Sequence, residues 1–135
     1  MLQLYFLSVA FNLIAGYSLA SDAISKKAQR LAGLGELLAL RTSRLTVGLS
    51  VMIVGFITLF VPVGGSLIII GDLIPSVAGL GMGIALLFEV FRQDAVFPSE
   101  SAEKTERHLG YRTTLGLLGM AVAVLHFFLP ERLFL

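Results

Sequence analysis

Cysteine and tryptophan are both absent from this 135-residue chain, and charge is scarce, at 14% of residues. The lack of cysteine excludes disulfides, thiolate metal sites and thiol catalysis. The scarcity of charge excludes an ordinary soluble domain, where about 25% of residues are charged. With 56% hydrophobic residues and length for one domain only, a soluble fold would have too little polar surface to cover its apolar atoms. Without tryptophan, anchoring at a membrane interface falls to Tyr5, Tyr17 and Tyr111 and to arginine and lysine. No nucleophile with an activating base and no acid–base pair can be assembled. His108 precedes the last apolar stretch and His126 lies near its far end, toward opposite sides of the membrane, so they cannot share a metal. The Gly79-Leu-Gly-Met-Gly83 run lies inside an apolar stretch and follows no strand, which excludes a phosphate loop. A net charge of +1 and a few scattered cations give nucleic-acid binding no footing. The expectation is a non-catalytic protein that needs no cofactor and no metal.

What the chain does have is four apolar stretches, each near the roughly 20 residues a helix needs to cross a bilayer. They run from Leu2 to Ala20, from Leu45 to Val61, from between Leu67 and Leu73 to Phe88, and from Thr113 to Leu129. Only helices fit, because no alternating barrel pattern appears and open strands would leave backbone groups unpaired in lipid. The intervening segments, residues 21–44 and 89–112, hold nine of the ten basic residues; only Arg132 lies elsewhere. The positive-inside rule therefore puts both segments in the cytoplasm and both termini outside. Positive residues follow the first stretch rather than precede it, the reverse of a cleaved signal peptide. The expected location is a bacterial inner membrane with an anionic inner leaflet.

The second and fourth stretches repeat one another. From Arg44 to Pro62 and from Arg112 to Pro130, without gaps, eight of nineteen positions are identical, among them Arg44/Arg112, Gly48/Gly116, Met52/Met120 and Pro62/Pro130. The same offset lays Ser8-Val9-Ala10 over Ser76-Val77-Ala78. Shared membrane composition does not align arginine, glycine and proline at fixed spacing, so the pattern indicates duplication of a helical hairpin. The expected architecture is an all-α integral membrane protein, one domain over 1–135, with repeat one at 1–62, an outer turn at 63–68, repeat two at 69–130 and a short outer tail at 131–135. Each unit crosses twice, so the copies are parallel and related by a pseudo-twofold axis along the membrane normal. Pro62 and Pro130 stop their helices at the outer end.

Small residues mark where helices meet in lipid. Ser8, Asn12, Gly16 and Ala20 form one stripe on the first span, and Ser76, Gly79 and Gly83 another on the third. Gly48 and Gly55 mark the second span, and Gly116 and Gly119 the fourth. Within the first cytoplasmic segment, Ile24, Ala28, Leu31, Gly35 and Leu38 recur at helical spacing beside Lys26, Lys27 and Arg30, the pattern of a basic helix on the inner leaflet interrupted at Gly33 and Gly35. Lys26, Lys27, Arg30, Arg44 and Arg112 are the expected membrane-surface anchors. The second segment reads as a short polar helix from Glu100 to Leu109, capped by Ser99 and carrying a Glu103–Arg107 pair. Arg92 stands three residues from Glu89 and is placed to neutralise it.

Polar groups inside membrane spans are functional suspects because they are costly there. Asp72, near the outer start of the third span, suits a helix cap; its functional alternative is an outward-facing cation or proton site. His126 lies four residues before Pro130, and the repeat pairs it with Thr58. Ser8, Asn12, Thr58, Asp72, Ser76 and His126 form a candidate polar cluster, which either hydrogen-bonds helices together or lines a small vestibule. Two function classes follow. One is a membrane subunit that assembles with a larger complex, through a protein partner or a further copy of itself. The other is a minimal transporter or channel for a small solute or ion, against which stands the lack of a mid-membrane charge or broken helix.

Overall fold

The computed structural model describes residues 2–60, 73–94 and 102–129. Its elements in chain order are α1 (Leu2–Lys27), a 3-10 turn (Gln29–Leu31), α2 (Ala32–Ala39), α3 (Arg41–Phe60), α4 (Leu73–Asp94) and α5 (Ala102–Phe128). Four of these helices, α1, α3, α4 and α5, are long and apolar enough to cross a membrane. Among the described residues every long element is helical, as backbone groups in lipid require. The helices run past the apolar stretches at the charged end: α1 continues from Ala20 to Lys27, and α4 from Phe88 to Asp94. Outside the hydrocarbon a helix keeps its own hydrogen bonds, so the switch from apolar to polar residues does not end it.

The fourth span differs from expectation in the same way. A separate polar helix at 100–109 is replaced by one continuous α5, because no proline interrupts 102–128 and Gly110 is simply helical. Ser99 lies outside the described residues. Proline is tolerated at Pro75 because it occupies the first turn of α4, where the backbone N–H has no partner to lose. Pro62, Asp72 and Pro130 also lie outside the described residues; α3 and α5 end at Phe60 and Phe128.

α1 packs along α5 and α3 along α4, with lesser contacts of α1 with α3, α1 with α4, and α4 with α5. No contact joins α3 to α5 among the described residues. The section is therefore a rhombus, with α1 and α4 on its short diagonal. Ala15 and Leu19 of α1, Val47 and Val51 of α3, and Met82 and Leu86 of α4 form the core. Phe6, Ile53, Phe56, Ile84, Phe88 and Leu118 point outward, where lipid takes the place of water.

The connection from α1 to α3 breaks at Ala28 (φ −130°, ψ 83°) and again at Leu40 (φ −59°, ψ 138°), not at Gly33 and Gly35. Gly35 instead lets α2 press on α1: a Cβ there would sit 3.1 Å from Ser25 Oγ and 3.4 Å from Ser21 Cβ. The Tyr17 hydroxyl donates to the Leu31 carbonyl (2.6 Å) and the Ser18 hydroxyl to that of Leu38 (3.4 Å), tying the connection to α1. Leu38 reaches the core, while Leu34, Leu37 and Leu40 remain exposed beside the exposed Arg30.

Candidate functional site

Two polar layers cross the bundle. The first is the layer anticipated from the sequence. Ser8, Asn12, Thr58, Ser76 and His126 are all buried. The Thr58 hydroxyl donates to the Val54 carbonyl one turn back (2.9 Å), which leaves Ser76 as donor in the 2.8 Å bond between the two hydroxyls. That bond joins α3 to α4. The Asn12 amide donates to the Pro75 carbonyl (3.0 Å), joining α1 to α4. The Asn12 oxygen lies against the backbone of Gly79, 2.7 Å from where a Cβ would stand, so the amide fits only because Gly79 has no side chain. Tyr5, which the sequence suggested only as an interfacial anchor, donates to the carbonyls of His126 (2.8 Å) and Phe127 (2.9 Å). Those belong to the last turn of α5, whose carbonyls have no partner within the helix. The Tyr5 and His126 rings are also in tilted contact, with centroids 4.8 Å apart and planes at 54°. Asp72, expected in this layer, lies outside the described residues.

Between the layers the glycines bring backbones together. A Cβ on Gly16 would stand 2.6 Å from the Gly116 carbonyl, and one on Gly116 would stand 2.5 Å from that of Gly16. Gly48 and Gly83 meet in the same manner across α3 and α4, at 3.4 Å and 2.8 Å from each other's carbonyls. Gly55 faces the Ser76 carbonyl at 3.0 Å, and Gly119 is filled by the Met82 side chain. The α1–α5 and α3–α4 pairs thus close at distances that favour glycine, the packing lipid favours.

The second layer, at the charged end, was not anticipated as a unit. Glu89 of α4 is 5% exposed and takes one arginine from α3 and one from α5. Arg44 Nη1 lies 3.0 Å from Glu89 Oε2, and Arg112 Nε pairs with Glu89 Oε1. Arg112 Nη1 also reaches Asp22 of α1 at 3.4 Å, where the carboxylate is 59% exposed. Arg44 and Arg112, expected to anchor on the membrane surface, are turned inward instead. A buried carboxylate is far costlier unpaired than an arginine is at a headgroup, so the arginines go to the carboxylate. Arg92, expected to neutralise Glu89 along one helix, lines the same cleft with His108. Lys26, Lys27 and Arg30 are exposed at this end.

The cleft has a volume of about 250 Å³ and is lined by Arg44, Glu89, Arg92, His108 and Arg112. Among the described residues its lining holds three arginines and one carboxylate, and Glu89 is paired to Arg44 and Arg112. Arg44 Nε and Arg112 Nη2 are buried without a hydrogen-bond partner among the described residues. No group of three or more histidines, cysteines or carboxylates that could hold a metal occurs among the described residues.

A protein-family model matches residues 1–126. A protein of Treponema pallidum (strain Nichols), described as an uncharacterized protein, is 32% identical over 136 residues, an alignment covering 100% of both chains. No solved structure matches. The chain belongs to the family that this model defines and aligns over its full length with the treponemal protein; its own four long helices are apolar enough to cross a membrane, which suggests a multi-pass membrane protein.

Proposed function

We propose that this protein is a non-catalytic membrane subunit, built as two parallel hairpin repeats, that assembles with a larger complex. The observation that carries this reading is the closely packed interior. The Gly16–Gly116 and Gly48–Gly83 contacts bring backbones together, and Met82 fills the space at Gly119. Tyr5, the Asn12 amide nitrogen, Thr58 and Ser76 bond to one another or to backbone carbonyls, while the Asn12 oxygen is buried against Gly79 without a hydrogen-bond partner among the described residues. These features favour the subunit over a minimal transporter, whose pathway would need polar groups left open to a solute.

The repeat draws support from the packing. The α1–α5 and α3–α4 interfaces are the mates a twofold would produce, and α1–α4 lies on its axis. Gly116 meets Gly16 as Gly48 meets Gly83, and Arg112 meets Asp22 as Arg44 meets Glu89. Buried and exposed positions along α3 recur in α5 in the register Arg44/Arg112. From Phe6 to Gly16 of α1 and Leu73 to Gly83 of α4 they recur in the register Gly16/Gly83, one residue away from the Ser8/Ser76 alignment. On the proposed orientation both termini are outside, and residues 21–44 and 89–112 face the cytoplasm of a bacterial inner membrane, whose anionic leaflet receives Lys26, Lys27 and Arg30.

The test is native mass spectrometry of the tagged protein gently extracted from its own host. A companion protein at fixed stoichiometry is expected. A lone monomer, or an oligomer of this chain only, would overturn assembly with a larger complex and return attention to transport.

A further inference from the structure

We propose that α2 is a lipid-binding helix. Leu34, Leu37 and the following Leu40 sit in the leaflet at the charged end, and Lys26, Lys27 and Arg30 hold the phosphates of anionic phospholipids beside them. The proposal builds on the anionic leaflet proposed for these cations, and assembly with a complex has no part in it. Its first ground is which leucines are left outward. The helical stripe legible in the sequence turns inward: Gly35 lies against Ser21 and Ser25, and Leu38 reaches the core. Among the described elements α2 touches only α1, the 3-10 turn and α3, and none of them covers Leu34, Leu37 or Leu40. These three are 54%, 56% and 56% exposed. At about 100° per residue Leu34 and Leu37 share one flank of α2, while the exposed Glu36 points about 160° from Leu34 and about 100° from Leu37. A helix that divides apolar from charged in this way suits the boundary between hydrocarbon and water.

The second ground is depth. The Ser18 hydroxyl meets the Leu38 carbonyl two residues before the first apolar stretch ends at Ala20, and Gly35 meets Ser21 and Ser25 just past it. From Ser18 to Ser25 is about 10 Å of helix axis. Interfacial helices bury their apolar face about 5–10 Å into the headgroup and acyl boundary. α2 is therefore tied to α1 at the level where hydrocarbon gives way to headgroups. The third ground is charge. From Lys26 to Leu40 the chain carries Lys26, Lys27 and Arg30 against Glu36 alone, all four exposed. None of the three cations is in an ion pair among the described residues. Leucines at hydrocarbon depth beside cations at phosphate depth match the two parts of one anionic phospholipid.

The experiment uses the full-length protein, whose lack of tryptophan lets one introduced indole report its own surroundings. Leu37→Trp is reconstituted in vesicles of phosphatidylcholine and phosphatidylglycerol, both leaflets alike, with brominated acyl chains carried by one lipid or the other in turn. Bromine near the headgroup end of the chain should quench the emission, more strongly on phosphatidylglycerol than on phosphatidylcholine at equal mole fraction. Glu36→Trp should be quenched less. Leu34→Trp repeats the measurement should Leu37→Trp fail to fold. Lys26→Gln, Lys27→Gln and Arg30→Gln together should lower the relative affinity for phosphatidylglycerol at least about fivefold, the equivalent of one surface cation. Quenching by brominated phosphatidylcholine should persist in that variant. Emission typical of water, unquenched by either lipid, would overturn the proposal and leave the leucines to a protein partner. Equal quenching from Leu37→Trp and Glu36→Trp would overturn it too, as would a phosphatidylglycerol preference that is absent or that survives loss of the three cations.

Discussion

Replacing Gly16 by alanine tests whether glycine contacts set the closeness of α1 and α5. The added methyl would stand 2.6 Å from the Gly116 carbonyl and 2.6 Å from Met120 Cγ, against an ordinary contact of 3.4 Å or more. Met120 can turn aside, but a backbone carbonyl moves only with its helix, so the pair must part by about 0.8 Å, the difference between 2.6 and 3.4 Å. A gap of that size forfeits roughly a quarter to a half of the dispersion energy of each contact it opens. Overpacking of this kind costs about 1–3 kcal/mol, offset by up to about 1 kcal/mol of better helix propensity. Gly81 is the internal control, since a Cβ there meets nothing within 4 Å. Gly81→Ala should be neutral or stabilising by up to about 1 kcal/mol. The two variants should therefore differ by about 2 kcal/mol. Reversible unfolding by sodium dodecyl sulfate, followed by far-ultraviolet circular dichroism, would measure the difference. Equal midpoints would refute the argument that backbone contact, rather than glycine content, holds these helices.

Glu89→Gln leaves Arg44 and Arg112 facing a neutral group and should destabilise the bundle by about 3 kcal/mol or more. Asp22→Asn, at an exposed pair, should change stability by less than about 1 kcal/mol; the same denaturant titration compares them. Tyr5→Phe removes the donor to the final carbonyls of α5, and Thr58→Val removes the bond to Ser76. Each should cost about 0.6–1.7 kcal/mol, the range for interhelical hydrogen bonds in membranes, and Tyr5→Phe should also speed amide hydrogen exchange near Phe128. Cysteine introduced at Lys26 or Lys104 should react only with reagents that enter the cytoplasm, and cysteine at Gly64 with impermeant ones. The opposite labelling would defeat the orientation.

The primary sequence determined the four spans, because a run of about 20 apolar residues admits one structure in lipid. It also exposed the glycines that close the helix pairs, since small residues in a span have few other uses. Burial of Ser8, Asn12, Thr58, Ser76 and His126 was legible for the same reason. Their partners were not: Asn12 binds a carbonyl of Pro75, and Tyr5 two carbonyls of α5, contacts in which one party has no side-chain signature. Helix ends at the charged side were also beyond reach, because hydropathy marks where lipid stops and not where a helix does. The arginine cleft was hidden more deeply. Arg44, Arg112 and Glu89 each had a sufficient local explanation, as two anchors and a helix-surface pair. The clue was that Asp22 and Glu89 stand six residues after Gly16 and Gly83, but it appears only once the first and third spans are aligned on those glycines. Tertiary structure alone decided that α4 brings a carboxylate between arginines of α3 and α5. Pairing of that kind depends on how helices are arranged around one another, and no periodicity along a single helix encodes it.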